Sequence, residues 1–226
     1  VVRNEMTMLP HFLAHYRAQG VRAFIAVDNI SDDGSREYLL AQPDVIVYSA
    51  DGEYRESTYG VSWQQTVLAH HCLGKWALLA DADEFLVYPG CETRPLADVV
   101  AQAGASGYDA VRVDMVDMYP FGDLADADFR TQSPFEAAPW HDREPLQPRW
   151  LVSGFYSNAP NHVSSLRHRQ MPFADPDDFT AQKYCLVRYL PWMRFPAGLH
   201  NVANARIAPE PLAFAHFKYH AGFKAK

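Results

Sequence analysis

A mainly parallel α/β sheet flanked by helices, followed by a loop-rich half, is the fold this sequence predicts. Three observations predict it. Strand-length apolar runs alternate at short spacing with segments of helical period through about residue 118. Turn residues and carboxylates follow those runs directly, at the strand ends where open α/β sheets gather ligands. Over residues 119–179 prolines and aromatics become dense and the periodicity fades.

Each element has its own signal. Val1-Val2-Arg3 reads as the end of a strand. Leu9, Phe12, Leu13 and Tyr16 fall at i, i+3, i+4 and i+7, the apolar stripe of a helix that Gly20 stops. Residues 23–27 are a β-type run, residues 28–35 a turn in which Gly34 supplies the tight reversal, and residues 36–41 a short helix. Residues 45–48 form a third strand, 62–73 a helix, 76–80 a strand, 96–103 a helix and 108–115 a strand. Residues 119–179 read as a loop-rich excursion beside the site. Phe121, Phe129, Phe135, Trp140, Trp150, Phe155 and Tyr156 make it an ordered, sugar-sized acceptor wall. Residues 184–189 look like a further strand and 212–219 a last apolar segment.

The bulk numbers narrow the function. With 226 residues and 48% hydrophobic content the chain buries a real core and is not disordered. A formal charge of −7, without clustered Lys and Arg, excludes broad nucleic-acid binding, so an anionic substrate needs a metal or a local basic pocket. Cys72, Cys91 and Cys185 are odd in number and lack zinc-type spacing, which fits reduced thiols and a cytoplasmic location. No apolar run reaches the roughly 18–20 residues of a spanning helix, and no signal-peptide pattern opens the chain. The chain opens on Val1 within an apolar pair rather than on Met, which leaves room for trimmed residues or an anchor upstream.

The most informative stretch is Trp76-Ala77-Leu78-Leu79-Ala80, which ends abruptly in Asp81, Asp83 and Glu84. Carboxylates off a strand end offer oxygen ligands to a hard divalent cation, and a metal there binds a diphosphate. The plain alternative is a solvated strand end. A second Asp-Ala-Asp, at Asp126 and Asp128, follows no apolar strand and reads as solvated surface. Ten histidines are many for this length, and each reads by itself as a hydrogen-bonded surface or core group. His216 and His220 share a helix face if that segment is helical, but without the Glu of a zinc-protease motif.

Three segments, in this order, resemble the glycosyltransferase family 2-like group with the GT-A fold. They are Val2-Arg3-Asn4-Glu5, Val27-Asp28-Asn29-Ile30-Ser31-Asp32-Asp33-Gly34-Ser35, and Asp81-Ala82-Asp83-Glu84-Phe85-Leu86. The likeness covers about the first 120 residues well and the rest loosely. It implies one Rossmann-like GT-A domain over residues 1–226, with a nucleotide-sugar-binding half at 1–118 and an acceptor-side half at 119–226. It implies a metal-dependent transfer of a hexose-type sugar from a nucleotide-sugar, a UDP-sugar foremost, to a glycan or lipid-linked acceptor, as in polysaccharide biosynthesis. A lipid-linked acceptor is compatible with peripheral membrane association, although no basic amphipathic helix supports it.

The resemblance also implies roles. Asp81 and Asp83 form the D-x-D motif that holds Mn²⁺ or Mg²⁺ against the donor diphosphate, with Asp81 also near the nucleotide. Asp28 contacts the nucleoside; Arg3, Asn4 and Glu5 line the base pocket, with Ser31 in the adjoining turn. The alternative for residues 28–32 is a simple Asx or ST turn. Arg55 and the Gln64-Gln65 pair fall in the donor-contacting region, where an exposed Arg is otherwise a solvated charge. A late histidine completes the metal site, His200 first and His216 second. An inverting transfer needs a base, and the family's acidic base motif is not clearly present; Asp114, Asp117, Asp142 and Glu144 are the candidates. Asp114 and Asp117, three apart on one strand, are expected on opposite sides of it. Two alternatives stand beside this. One is a catalytically silent nucleotide- or glycan-binding module. The other is an aspartyl phosphatase of the haloacid dehalogenase type, against which Phe85 occupies the motif's fifth position.

Overall fold

The computed structural model describes residues 1–150 and 160–222. Phe155, Tyr156 and the side chain of Trp150 lie outside the described residues.

Helix α1 (Leu9–Ala18) carries Pro10 in its first turn and His15 and Arg17 in its last, and it buries Leu9, Leu13 and Tyr16. Gly20 follows at φ 85°, a left-handed conformation that ends the helix at little cost. Strand β1 (Phe24–Asp28) pairs in parallel with β2 (Val45–Ser49) through the short helix α2 (Ser35–Leu40), entered by Gly34 at φ 91°. Val2 joins this unit at its carboxyl end, bridging Asp28 in parallel. Helix α3 (Val61–His71), strands β3 (Trp76–Leu78) and β4 (Glu84–Val87), helix α4 (Leu96–Ala105) and strand β5 (Ala110–Asp117) follow.

The stretch expected to be a loop-rich excursion, residues 119–179, carries short elements among its loops. It contains helix α5 (Pro134–Ala137), closed by a Ser133–Glu136 capping box, an antiparallel hairpin of β6 (Leu146–Trp150) and β7 (Pro160–Ser164), and helix α6 (Ser165–Gln170). Strands β8 (Gln182–Arg188) and β9 (Leu212–His216) complete the order.

The fold is mixed α/β, but the larger sheet is not mainly parallel. Its five strands run β3-β8-β5-β9-β4; only β5 and β9 are parallel, and the other neighbours are antiparallel. The reason lies in the late strands. β8 and β9 return from the second half and insert between β3, β5 and β4, so sequence neighbours in the first half are separated in space. β8 is buried from Gln182 to Val187, as befits an interior strand, and with Val111, Val113 and Phe214 it forms the main core.

The order also imposes curvature. β3 and β4 lie at opposite edges, roughly 19 Å apart if the sheet were flat, yet only residues 79–83 connect them and that connection contains a turn, Glu84 N–H to Asp81 O at 3.1 Å. The sheet must curl to bring its edges together. The same curl sets Phe85 on β4 against Phe135 and Phe217 at ring separations of 5.8 and 5.3 Å. Phe129, expected on an acceptor wall, belongs instead to this core cluster.

Tyr16 locks α1 to the curled edge. Its buried hydroxyl donates to Glu84 O at 2.8 Å and accepts from Leu86 N at 3.0 Å. Removing that hydroxyl strands the Leu86 N–H inside the core. Tyr16→Phe is therefore expected to cost about 1–3 kcal/mol, measured by urea unfolding; a change within error would show that α1 is held by packing alone.

Candidate functional site

Two loops meet at the carboxyl ends of Val2 and β1, laced by backbone-to-side-chain bonds. Asn4 N donates to Ser31 Oγ (3.0 Å), Glu5 N to Ser35 Oγ (2.9 Å) and Met6 N to Asp33 Oδ2 (2.9 Å), while Asn4 Oδ1 accepts from Asp32 N (2.9 Å). Asn4 and Ile30 both take positive φ, at 57° and 56°. Side-chain oxygens thus tie the two loops across about thirty residues of sequence, and a local Asx bond, Ser35 N to Asp33 Oδ1 at 2.9 Å, shapes the second loop. Asp28 sits beneath them, 2% exposed; its Oδ2 faces Arg36 at 3.8 Å, and its buried Oδ1 has no hydrogen-bond partner among the described residues. A buried acceptor left without a donor is costly, so this atom suits a hydrogen bond from a ligand. Arg3 and Arg55 are both exposed.

Asp81 and Asp83 lie on the β3–β4 connection, and Glu84 begins β4. Their surroundings divide them. Lys183, from β8, places Nζ 2.6 Å from Asp81 Oδ2 and 2.6 Å from Glu84 Oε1, with Glu84 almost wholly buried. Burial pulls the Lys183 ammonium down, but the two carboxylates outweigh it and hold its pKa well above the usual lysine range. Glu84 Oε2 also accepts from Asp81 N at 2.9 Å, which fixes the turn.

Asp83 faces a different cation. Its Oδ2 lies 3.5 Å from His216 Nε2, and His216 Nδ1 lies 2.6 Å from Asp117 Oδ1. Arg167, from α6, holds the same Asp117 with Nε at 2.8 Å and a second nitrogen at 2.7 Å. Burial lowers the His216 pKa, but Asp83 and Asp117 raise it further, to about 9. Burial pushes Asp117 up, and His216 and Arg167 bring it well below the carboxylate range.

A carboxylate bonded to one imidazole nitrogen, with the other nitrogen facing a second carboxylate, is the arrangement that orients a histidine toward a cation. Asp83 and His216 are the two side chains here that could serve a divalent ion as ligands. Among the described residues no three His, Cys, Asp or Glu side chains form a ready-made cage.

His216, second among the expected histidines, stands at the acidic turn; it is on a strand, so it shares no helix face with His220. His200 bonds Gln182 O through Nδ1 at 2.7 Å, and its Nε2 lies over Gly198. Asp114 pairs with Arg112 (3.1 Å) and His162 (3.3 Å) and shares no partner with Asp117. Asp142 accepts from Tyr119 Oη (2.8 Å) and pairs with Arg169 (2.7 Å), while Glu144 is exposed. Asp128 is tied to Arg130 at 2.8 Å on the surface, as its position implied.

Lys183 and Arg167 are the residues that sequence reasoning missed. The turn before α3 was missed as well: Thr58, Tyr59 and Gly60 take consecutive positive φ of 57°, 55° and 82°, and Tyr54 lies where Asp81 raises its pKa further after burial has done so. No protein-family model matches the chain, and no curated protein matches it. Among the described residues no helix is long and apolar enough to cross a membrane.

Two outcomes follow from the charge pairs. Lys183→Met leaves Glu84 buried without its cation and is expected to destabilise by about 3–5 kcal/mol; a loss below 1 kcal/mol in denaturant titration would show the pair to be dispensable. For His216, a folded-state pKa raised from 6.5 to about 9 means its contribution is complete below pH 6.5 and is lost as pH rises through 9. In EDTA the melting temperature should fall across that window, and His216→Gln should remove that part of the slope.

Proposed function

We propose that the chain is a GT-A type glycosyltransferase that moves a sugar from a nucleotide-sugar donor, a UDP-sugar first among them, to a carbohydrate acceptor. One observation carries the reading. A buried acidic atom without a donor among the described residues, Asp28 Oδ1, and an oriented imidazole facing a carboxylate, His216 and Asp83, both stand at carboxyl ends of strands or the turns that follow them. A nucleoside diphosphate needs both an acceptor for its nucleoside and a counter-charge for its diphosphate.

In this reading Asp28 accepts from a base N–H or a ribose hydroxyl, within a pocket shaped by Asn4, Glu5 and Ser31. Asp83 and His216 would hold Mn²⁺ or Mg²⁺, with Asp117 and Arg167 fixing the imidazole from behind. Such an ion, when bound, stabilises the charge that gathers on the departing diphosphate. Asp81, neutralised by Lys183 yet 46% exposed at its side chain, serves as a fixed acceptor for a ribose hydroxyl rather than as a main ligand. Phe121, 86% exposed, and Trp140 pair their rings at 6.2 Å and offer an acceptor sugar an apolar face.

A second reading, a nucleotide-binding module without turnover, is favoured by the ion pairs that occupy Asp114, Asp117 and Asp142. A carboxylate held by Arg is a poor proton acceptor.

A thermal-shift series with UDP, GDP, CDP and ADP, each in Mn²⁺, Mg²⁺ or EDTA, tests the site. One nucleotide at about 100-fold over its dissociation constant is expected to raise the melting temperature by roughly 5–10 °C. Asp83→Asn should lose the metal-dependent part, and Asp28→Asn the nucleotide response itself. A shift without turnover on any donor sugar supports the module. No shift with any nucleotide sinks both readings.

A further inference from the structure

The loop that leaves β2 carries an aromatic cluster that the site described above does not use. Tyr54 meets Tyr59 edge-on at a ring separation of 5.9 Å and Trp63, in the first turn of α3, at 6.4 Å. Tyr54 and Tyr59 nevertheless remain 43% and 47% exposed. A single exposed aromatic needs no explanation; what marks this pair is the backbone that holds it.

Thr58 and Tyr59 have φ of 57° and 55°, the left-handed region that a β-branched residue or a bulky aromatic seldom enters. Ser57 holds the turn there. Its hydroxyl donates to Tyr54 O at 2.6 Å and accepts from Gly60 N at 2.8 Å, while its own N–H donates to Glu53 O at 3.1 Å. Gly60, at φ 82°, lies against the Tyr54 ring, and a Cβ there would come within 2.9 Å of Cε2. Strain of this kind persists only where the surroundings over-determine it, and it gathers at ligand clamps. Here it seats Tyr54 against Gly60, Tyr59 and Trp63.

The seat lies beside the nucleoside end of the site. Asn29 Nδ2 donates to Ala50 O at 2.9 Å and to Gly52 O at 3.1 Å, and Asp28 O accepts from Ala50 N at 2.8 Å. The start of the loop is therefore fixed to the carboxyl end of β1, next to the Asp28 carboxylate. The Tyr54 hydroxyl in turn lies within electrostatic reach of Asp81 and Lys183. A carboxylate meets a planar base only at its edge, by accepting from an N–H. The face of the base needs a surface of its own, and an aromatic ring supplies one to any base.

We propose that Tyr54 is the stacking platform for the base of the bound nucleotide, held in place by Tyr59, Trp63 and the strained turn at residues 58–60. The inference rests on the nucleotide reading above and adds to it a residue that touches the base alone. Its loss should weaken only ligands that carry a base.

Calorimetric titration of the unaltered chain, Tyr54→Phe and Tyr54→Ala with UDP, GDP, CDP and ADP in Mn²⁺ tests this, with pyrophosphate as a probe that has no base. For the nucleotide that binds best, Tyr54→Ala is expected to weaken binding by about 10-fold. Tyr54→Phe, which keeps the ring, should stay within about 2-fold, and pyrophosphate should bind all three forms alike. Equal affinity of Tyr54→Ala and the unaltered chain overturns the platform and leaves the nucleotide reading standing. So does a Tyr54→Phe loss as large as that of Tyr54→Ala, which would assign the effect to the hydroxyl, or a pyrophosphate loss equal to the nucleotide loss, which would assign it to the turn. Binding of no nucleotide to the unaltered chain overturns both.

Discussion

The buried ammonium of Lys183 is the constraint on which the rest of the structure depends. Its strand lies second in the larger sheet and Glu84 lies on the fifth, yet their charged atoms are 2.6 Å apart. In a flat sheet, three ladder spacings put roughly 14 Å between those strands, well beyond a lysine side chain. The ion pair and the curl therefore require one another. An uncompensated Glu84 in that position would be prohibitively unstable, so the pair also disfavours flatter arrangements of the same strands.

The curl partitions the acidic turn. Asp81 is drawn to Lys183 and shares its charge with Glu84; Asp83, two residues on, meets His216 at the end of β9. Behind His216, Asp117 of β5 and Arg167 of α6 extend the alternation of charges. Every member of this row is answered by an opposite charge, so little is left to rearrange when a ligand's charge arrives. A carboxylate already neutralised by an ammonium is a weaker cation ligand than one whose partner, a protonated imidazole, can give up its proton to the solvent. That asymmetry separates Asp81 from Asp83 more sharply than their identical chemistry suggests.

What was legible in the sequence was local. The stripe Leu9, Leu13, Tyr16 announced α1, the run to Val27 announced β1, and the turn chemistry of Asp28 to Ser35 announced loops that do meet Asn4 and Glu5. Strand order was not legible, because the insertion of β8 and β9 is a long-range pairing that periodicity does not encode. β4 was hidden for a related reason: its first residue is Glu84, and a carboxylate at the end of an acidic cluster reads as solvent-facing until Lys183 is known to cover it. Lys183 itself falls one residue ahead of the run 184–189 that reads as a strand, although the strand in the structure begins at Gln182. Only the three-dimensional curl makes it an interior charge. His216 was visible as one histidine among ten, and nothing in its spacing distinguished it from His200; Asp117, a hundred residues earlier, does.

The placement of Val2 bears on why the loop at residues 4–6 has its shape. Residues 4–6 bond to residues 31–35 through four contacts of 2.9–3.0 Å, and all of these depend on where Val2 delivers the chain. Val2 is held by two backbone bonds to one side only. Those two bonds, together with the four loop contacts, set the direction in which the chain leaves Val2. Rigidity of this kind belongs in the scaffold rather than in the loops themselves, since positioning by regular elements is what lets a polar loop hold a defined geometry.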